Sequence, residues 1–551
     1  MKKLLLDYKN SFSFVGLSVA GLFFAASVTP SLLPRTFVVQ GILSGFSLAI
    51  GYGVGLAGLF SYQFLGLREP EGRVQVIAKR ITVVLVAVVF IGFIWRMTAW
   101  QNSIRELMQM EPLESAYPYR TAIIAIAVGA ILVAFARAFG WSCRFVADRL
   151  DRFVPRRIAS AVAVVFVSVV IMTLSNDLIV KNLLNAADHF FANLDEISDE
   201  VPAKPTEEFL TGSDASLVSW NSIGRQGKFF LAGGPTKTDI ETLWQSDADH
   251  PIRVYVGLRS RPTPKDRAKL ALEELKRVGG FERSVLIVAT PTGTGWLDPS
   301  AVDTIEYLHG GDTAMVSTQY SYLPSWITIL IDPERSIRSA QALFDEVYSH
   351  WKTLPKTSRP KLYLQGLSLG SLGSEICSDI YTVFEDPIDG AVWSGPPFPS
   401  RRWRQAINNR VEGTPVWLPK FRDGRLLRFT AQENALEPDR PWGPMRNVYI
   451  QHASDPMVWF SPDLAWSRPR WLGDSRGPDV SSQLRWYPII TFLQIGFDIP
   501  MATTVPIGFG HNYSPSSYID AWVAVTDPPF ADPKQRRQLK DHFRSLDTPK
   551  P

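Results

Sequence analysis

Apolar positions run without interruption through five stretches in the first third of the chain, at about 12–29, 39–66, 81–98, 121–139 and 158–175. Each is about 18 residues or longer, enough for a helix to cross a hydrocarbon core about 30 Å thick. Five such runs in succession predict a helical membrane domain over 1–176. The second run carries Gly41-x-x-x-Gly45 and Gly51-x-x-x-Gly55, a spacing that lets membrane helices approach closely. It is a packing signal and carries no chemistry.

Beyond 176 the pattern changes twice. Over 177–222 an amphipathic stretch (to about 199) gives way to a linker in which Pro, Thr, Ser and Gly replace the period. From 223 to 551 short β-branched runs alternate with helical ones. RVYVGL (253–258), SVLIVAT (284–290), AMVSTQY (314–320), KLYLQG (361–366), GAVWSG (390–395) and NVYIQH (447–452) read as strands, and TTVPIG (503–508) as a weaker one. Helical spacing marks 264–278 and 336–354. Near-continuous apolar strands between helices predict an α/β domain with a mostly parallel sheet covered on both faces. Two inserts, about 396–446 and 457–500, are rich in Pro, Arg and Trp and can shape a pocket, either as a lid or as a Trp satellite core with Arg-solvated loops.

Charge adds a direction to this plan. Lys and Arg gather in the N-terminal tail (Lys2, Lys3, Lys9), in the second connection (Arg68, Arg73, Lys79, Arg80) and around the fourth, from Arg137 to Arg157. The positive-inside rule then puts the N-terminus in the cytoplasm and, after five spans, the α/β domain outside. If the first run were a cleaved signal peptide, four spans would leave the same domain outside. The net charge of +4 is too mild to suggest a nucleic-acid partner. Two cysteines, one in each part, offer no disulfide framework. No metal site is evident, since the seven histidines show no H-x-x-x-H or H-E-x-x-H pattern.

The chemistry is concentrated in Gly366-Leu367-Ser368-Leu369-Gly370, directly after a strand and before a helical segment. That is the context of a nucleophile elbow, where Gly366 and Gly370 let strand and helix pass close by. A serine hydroxyl needs a base, and the base needs an acid to orient it. In the chain order expected of this fold, Asp455 (after NVYIQH) supplies the acid and His511, in Gly510-His511-Asn512-Tyr513, the base. His452 reads as a packing residue or as a support behind the site, and His542 as part of a solvated helix. The backbone N–H of Leu369 is one expected oxyanion donor. Thr292 or Gly293, in the Gly-rich loop after the strand 284–290, is the other. That loop lacks a Walker lysine or a G-x-G-x-x-G spacing, so no nucleotide cofactor is expected.

These residues resemble bacterial membrane-anchored α/β-hydrolases with an N-terminal multi-span domain. The matching stretches are Thr290–Trp296, Gln319–Trp326, the Ser368 elbow, Ser454-Asp455-Pro456 and Gly510–Tyr513. The resemblance implies a serine-hydrolase fold with a triad at Ser368, Asp455 and His511. Membrane lipids and an acyl-ester substrate are the expected partners. Acyl transfer by the same triad, or a non-catalytic scaffold on the fold, are the alternatives.

Overall fold

The computed structural model describes residues 12–68, 71–173, 201–379, 385–436, 440–473 and 475–547. The amphipathic stretch expected at 176–199 lies outside them. The described chain divides into two compact units.

The first unit joins residues 12–173 to 460–473 and 478–501. It contains α1 (Phe14–Ser27), α2 (Phe37–Phe64), α3 (Gly72–Leu107), α4 (Pro118–Leu150) and α5 (Arg156–Thr173). Helices α2 to α5 are long and apolar enough to cross a membrane. Helix α1, with 14 residues, rises only ~21 Å and falls short of a full crossing within its described length. The two small-residue pairs of α2 serve different neighbours. A side chain at Gly41 or Gly45 would run into Ile124 or Val128 of α4, and one at Gly51 or Gly55 into Phe23 or Gly16 of α1. Large apolar side chains such as Leu85, Val88, Ile123 and Phe135 face outward, which suits lipid and not water.

Most of the insert read from sequence at about 457–500, namely 460–473 and 478–501, packs with these helices instead. Its helix Ile490–Asp498 ends in a buried ion pair, Asp498 Oδ1 to Arg35 Nε at 2.7 Å, both side chains fully covered. Asp498 Oδ2 accepts the Leu32 N–H at 3.2 Å and the Ser31 hydroxyl. Arg35 donates further to Gln40 Oε1 (3.1 Å) and to the Gln494 carbonyl (3.0 Å). Burying a charge is tolerable only when it is paired and hydrogen-bonded, and here both partners are.

The second unit holds a seven-stranded, wholly parallel sheet of order β1-β3-β2-β4-β5-β7-β6. The elements are β1 (Ile252–Val256), α6 (Pro264–Arg277), β2 (Val285–Thr290), α7 (Pro299–Leu308), β3 (Thr313–Thr318), α8 (Glu334–Thr353), β4 (Lys361–Leu367), α9 (Leu369–Cys377), β5 (Gly390–Ser394), α10 (Arg401–Asn408), β6 (Leu427–Thr430), β7 (Arg446–Ile450), α11 (Pro515–Thr526) and α12 (Pro533–Asp547). Strands β2 and β3 are buried at every position, as their unbroken apolar runs require. Helices α6, α8 and α9 cover one face, and α7 and α11 the other. The register pairs Thr290 with Gly366, Leu367 with Ser394 and Ser394 with Ile450. The carboxyl ends of four strands therefore open onto one rim.

Two strand expectations change. Residues 503–508 form a loop: Pro506 has no N–H to give a ladder. Conversely, β6 lies inside the expected insert 396–446. It is a four-residue edge strand paired on one side only, too short to announce itself by periodicity.

Candidate active site

The strand β4 ends at Leu367 and α9 starts at Leu369, so Ser368 alone makes the turn. It does so at φ 58°, ψ −125°, in a region side-chain-bearing residues rarely enter. Such strain costs of order 1–3 kcal/mol and persists only where the surroundings impose it. Here the Ser368 N–H is tied to the Ser394 carbonyl at 3.0 Å, and Ser336 of α8 donates to the Leu369 carbonyl at 2.6 Å. A Cβ on Gly366 would overlap the backbone of Gly370, and a Cβ on Gly370 would overlap the Thr290 carbonyl. Both glycines of the motif are required by close backbone approach.

The other two expected residues meet directly. His511 Nδ1 lies 2.6 Å from Asp455 Oδ2. The same oxygen accepts the Tyr513 hydroxyl at 2.7 Å, while Oδ1 accepts the Met457 N–H at 2.9 Å. Asp455 is fully buried and His511 nearly so. With a carboxylate facing Nδ1, the ring carries its proton there and leaves the Nε2 lone pair open. Burial beside that carboxylate pushes the Tyr513 hydroxyl well above its ordinary range, so it stays a donor.

Ser368 Oγ and His511 Nε2 are not hydrogen-bonded to each other. Both are buried without any partner among the described residues. They nonetheless flank the same strand end. Ser368 is bonded to Ser394, and the next residue, Gly395, has His511 Cε1 so close that a Cβ there would collide with it. Two orphaned polar atoms, one donor and one acceptor, are thus buried around the end of β5. Buried polar groups left unmatched are rare away from functional sites.

The histidine loop is held from the turn after β7 by His452 and by Ser454, the latter without a role assigned from sequence. Ser454 Oγ accepts the Gly510 N–H at 2.9 Å, and His452 Nδ1 donates to the Gly510 carbonyl at 2.9 Å. The His452 ring stacks on Tyr513 with centroids 4.3 Å apart, which agrees with a packing role. His511 N–H bonds the Ala502 carbonyl at 2.8 Å. His542, on α12, reaches the Tyr307 hydroxyl instead.

The expected oxyanion donors fare unequally. Leu369 N–H stands at the first position of α9, where no intrahelical acceptor exists. The Thr292 N–H is already given to the Trp296 carbonyl (2.9 Å) and the Gly293 N–H to Ser325 Oγ (3.0 Å). The Gly-rich loop closes on itself, with the Gly295 N–H on the Thr292 carbonyl at 3.0 Å, so both backbone donors are spent. Among the described residues no cluster of three or more metal-ligating side chains occurs.

Residues 252–539 match the model of a family described as an alpha/beta-hydrolase family, and residues 28–235 match the model of that family's N-terminus. No curated protein and no solved structure matches the chain.

Proposed function

The chain belongs to this alpha/beta-hydrolase family, and from that premise we propose that its α/β unit is a serine hydrolase cleaving acyl esters. The observation that carries the reading is the His511–Asp455 contact at 2.6 Å, with His511 Nε2 and Ser368 Oγ both buried and unmatched at adjoining strand ends. In the proposed cycle a rotation of the Ser368 side chain brings Oγ to Nε2. Nε2 takes the hydroxyl proton as Oγ attacks the ester carbon. Asp455 stabilises the imidazolium, and the Leu369 N–H receives the developing oxyanion. Collapse expels the alcohol with the proton from Nε2, leaving an acyl-serine. Water, deprotonated by the same nitrogen, then releases the carboxylic acid and restores Ser368.

The substrate class follows from the anchor. Apolar helices of membrane-crossing length in the same chain favour an acyl ester of a lipid or a lipid-linked molecule. Counting the helix ends together with the connections, Lys and Arg gather around the α2–α3 link (Arg68, Arg73, Lys79, Arg80) and around the α4–α5 link, from Arg137 to Arg157, while the α3–α4 link is flanked by Arg96, Arg105 and Arg120 alone and 108–117 has none. That asymmetry supports an α/β unit on the outer side of a cytoplasmic membrane. The exception, Arg35 before α2, is neutralised by Asp498.

A fluorophosphonate probe tests the chemistry on the full chain in detergent. The wild type should be labelled covalently and Ser368→Ala should not; an unlabelled wild type, or equal labelling of both, would overturn the proposal. An alkaline-phosphatase fusion after residue 200 should be active, and an inactive one would reverse the orientation.

A further inference from the structure

Within the α/β unit, the described residues beside α9 and α10 line an open cavity of about 1250 Å³. Ser368 does not line it. Leu372, Ile376, Phe421 and Leu427 give it an apolar wall, and Glu375 and Tyr449 belong to its lining. The volume lies somewhat above the about 300–1,000 Å³ of most small-molecule sites and far above a packing defect, roomy enough for a chain-bearing ligand.

Its charge is one-sided. Helix α10 turns Trp403, Ala406 and Ile407 inward and is anchored by the Trp403 indole on Gln451 Oε1 at 2.6 Å. That orientation leaves Arg401, Arg402 and Arg404 on the cavity. Arg402 is bonded to the Ser378 carbonyl (2.7 Å) and lies 3.7 Å from Asp379. Arg404 meets only the Pro399 carbonyl at 3.4 Å, and Arg401 has no hydrogen-bond or ion-pair partner among the described residues. Of the two lining carboxyl groups, that of Glu375 is buried, accepts the Tyr449 hydroxyl at 2.7 Å, and is pushed up to about 7 by that burial. Cationic charge is in surplus beside an apolar wall.

We propose that this cavity binds an anionic lipid, its hydrocarbon chain along Leu372, Ile376 and Leu427 and its phosphate against Arg401 and Arg404. A free phosphate would satisfy the arginines and leave the wall in water; a neutral chain would leave the arginines unpaired. Only an amphiphile matches both halves. The site is separate from Ser368 and does not rest on the hydrolase reading.

The test is photolabelling of the full chain, in nanodiscs of zwitterionic lipid, with a diazirine-bearing dodecyl phosphate, followed by peptide mapping. Label should fall on peptides covering 372–379 and 421–427, and Ser368→Ala should leave it unchanged. Replacing both exposed arginines (R401E with R404E) should lower it at least about tenfold, as should removing the phosphate from the probe, because two charge-assisted contacts are lost. Equal labelling by the dodecanol analogue, or survival of the label in the double variant, would overturn the proposal. So would complete competition by inorganic phosphate alone, which would mark a plain anion site.

Discussion

One oxygen of Asp455 serves two donors, the His511 ring and the Tyr513 hydroxyl, and the two should be separable by mutation. Asp455→Asn turns an acceptor into an amide donor at Nδ1, which forces the ring into the other tautomer and removes the base. The expected loss is on the order of 10⁴ in kcat for ester hydrolysis. Tyr513→Phe keeps the carboxylate on the ring and removes only one neutral donor, so kcat should fall by about tenfold or less. A loss in Tyr513→Phe as large as that in Asp455→Asn would count against this division of the carboxylate. At this scale the sequence is informative where a motif is local. Ser368, Asp455 and His511 are each singled out by neighbouring turn residues. Tyr513 stands in a recognised stretch, and its bond to Asp455 depends on two distant loops meeting. That the Thr292 and Gly293 N–H groups are already bonded escapes the sequence for a similar reason, since a loop's own closure decides which donors stay free.

At the scale of elements, α9 couples the turn at Ser368 to the sheet. Gly370 lies against the Thr290 carbonyl, so Gly370→Ala must push the start of α9 away from β2. Backbone has no rotamer with which to yield. A loss of about 2–3 kcal/mol is expected from overpacking and strain, read by denaturant unfolding, and fluorophosphonate labelling should fall even in the folded fraction. Further along α9, Glu375 introduces a pH dependence. Burial raises its carboxyl to about 7 from an ordinary 4.5. The folded state then holds a proton that the unfolded state has released, so stability is complete below pH 4.5 and declines as pH rises towards 7. The upper limit for that decline is about 3 kcal/mol. Glu375→Gln should flatten the melting temperature between pH 5 and pH 8, whereas an unchanged slope would assign the dependence elsewhere. Strands of five or more residues were legible because a parallel sheet buries both faces and makes them predominantly apolar or β-branched. The edge strand β6 was not, since half its ladder faces no partner. The run 503–508 imitated a strand in composition while Pro506 denied it the hydrogen bonds.

For the whole molecule, the division of the chain is not the one its linear pattern suggests. Residues 460–473 and 478–501 interrupt the α/β unit between the expected acid and base, yet they belong to the helical unit, where Asp498 pairs with Arg35. No local pattern could reveal this, because a helix such as Ile490–Asp498 is equally apolar whichever neighbour it covers. Both ends of the excursion are fixed beside the site. Trp459, one residue before it, bonds the His452 carbonyl at 2.8 Å, and Ala502, one residue after it, accepts the His511 N–H at 2.8 Å. Two consequences follow for the intact chain. Asp498→Ala strands a buried guanidinium and should destabilise the protein by about 3–5 kcal/mol, whereas joint replacement of Arg35 and Asp498 by Met and Leu should cost far less, because the large term is the orphaned charge and not the lost pair. Thermal unfolding in detergent reads the difference. A fragment beginning near residue 201 would carry the helix Ile490–Asp498 without the helices that bury it. Such a fragment should bind a hydrophobic dye and aggregate without detergent, and co-expression of residues 1–200 should restore a soluble, labelled complex in detergent. A monodisperse, dye-silent fragment would mean that the excursion folds against the α/β unit by itself, and that the helical unit contributes anchorage alone.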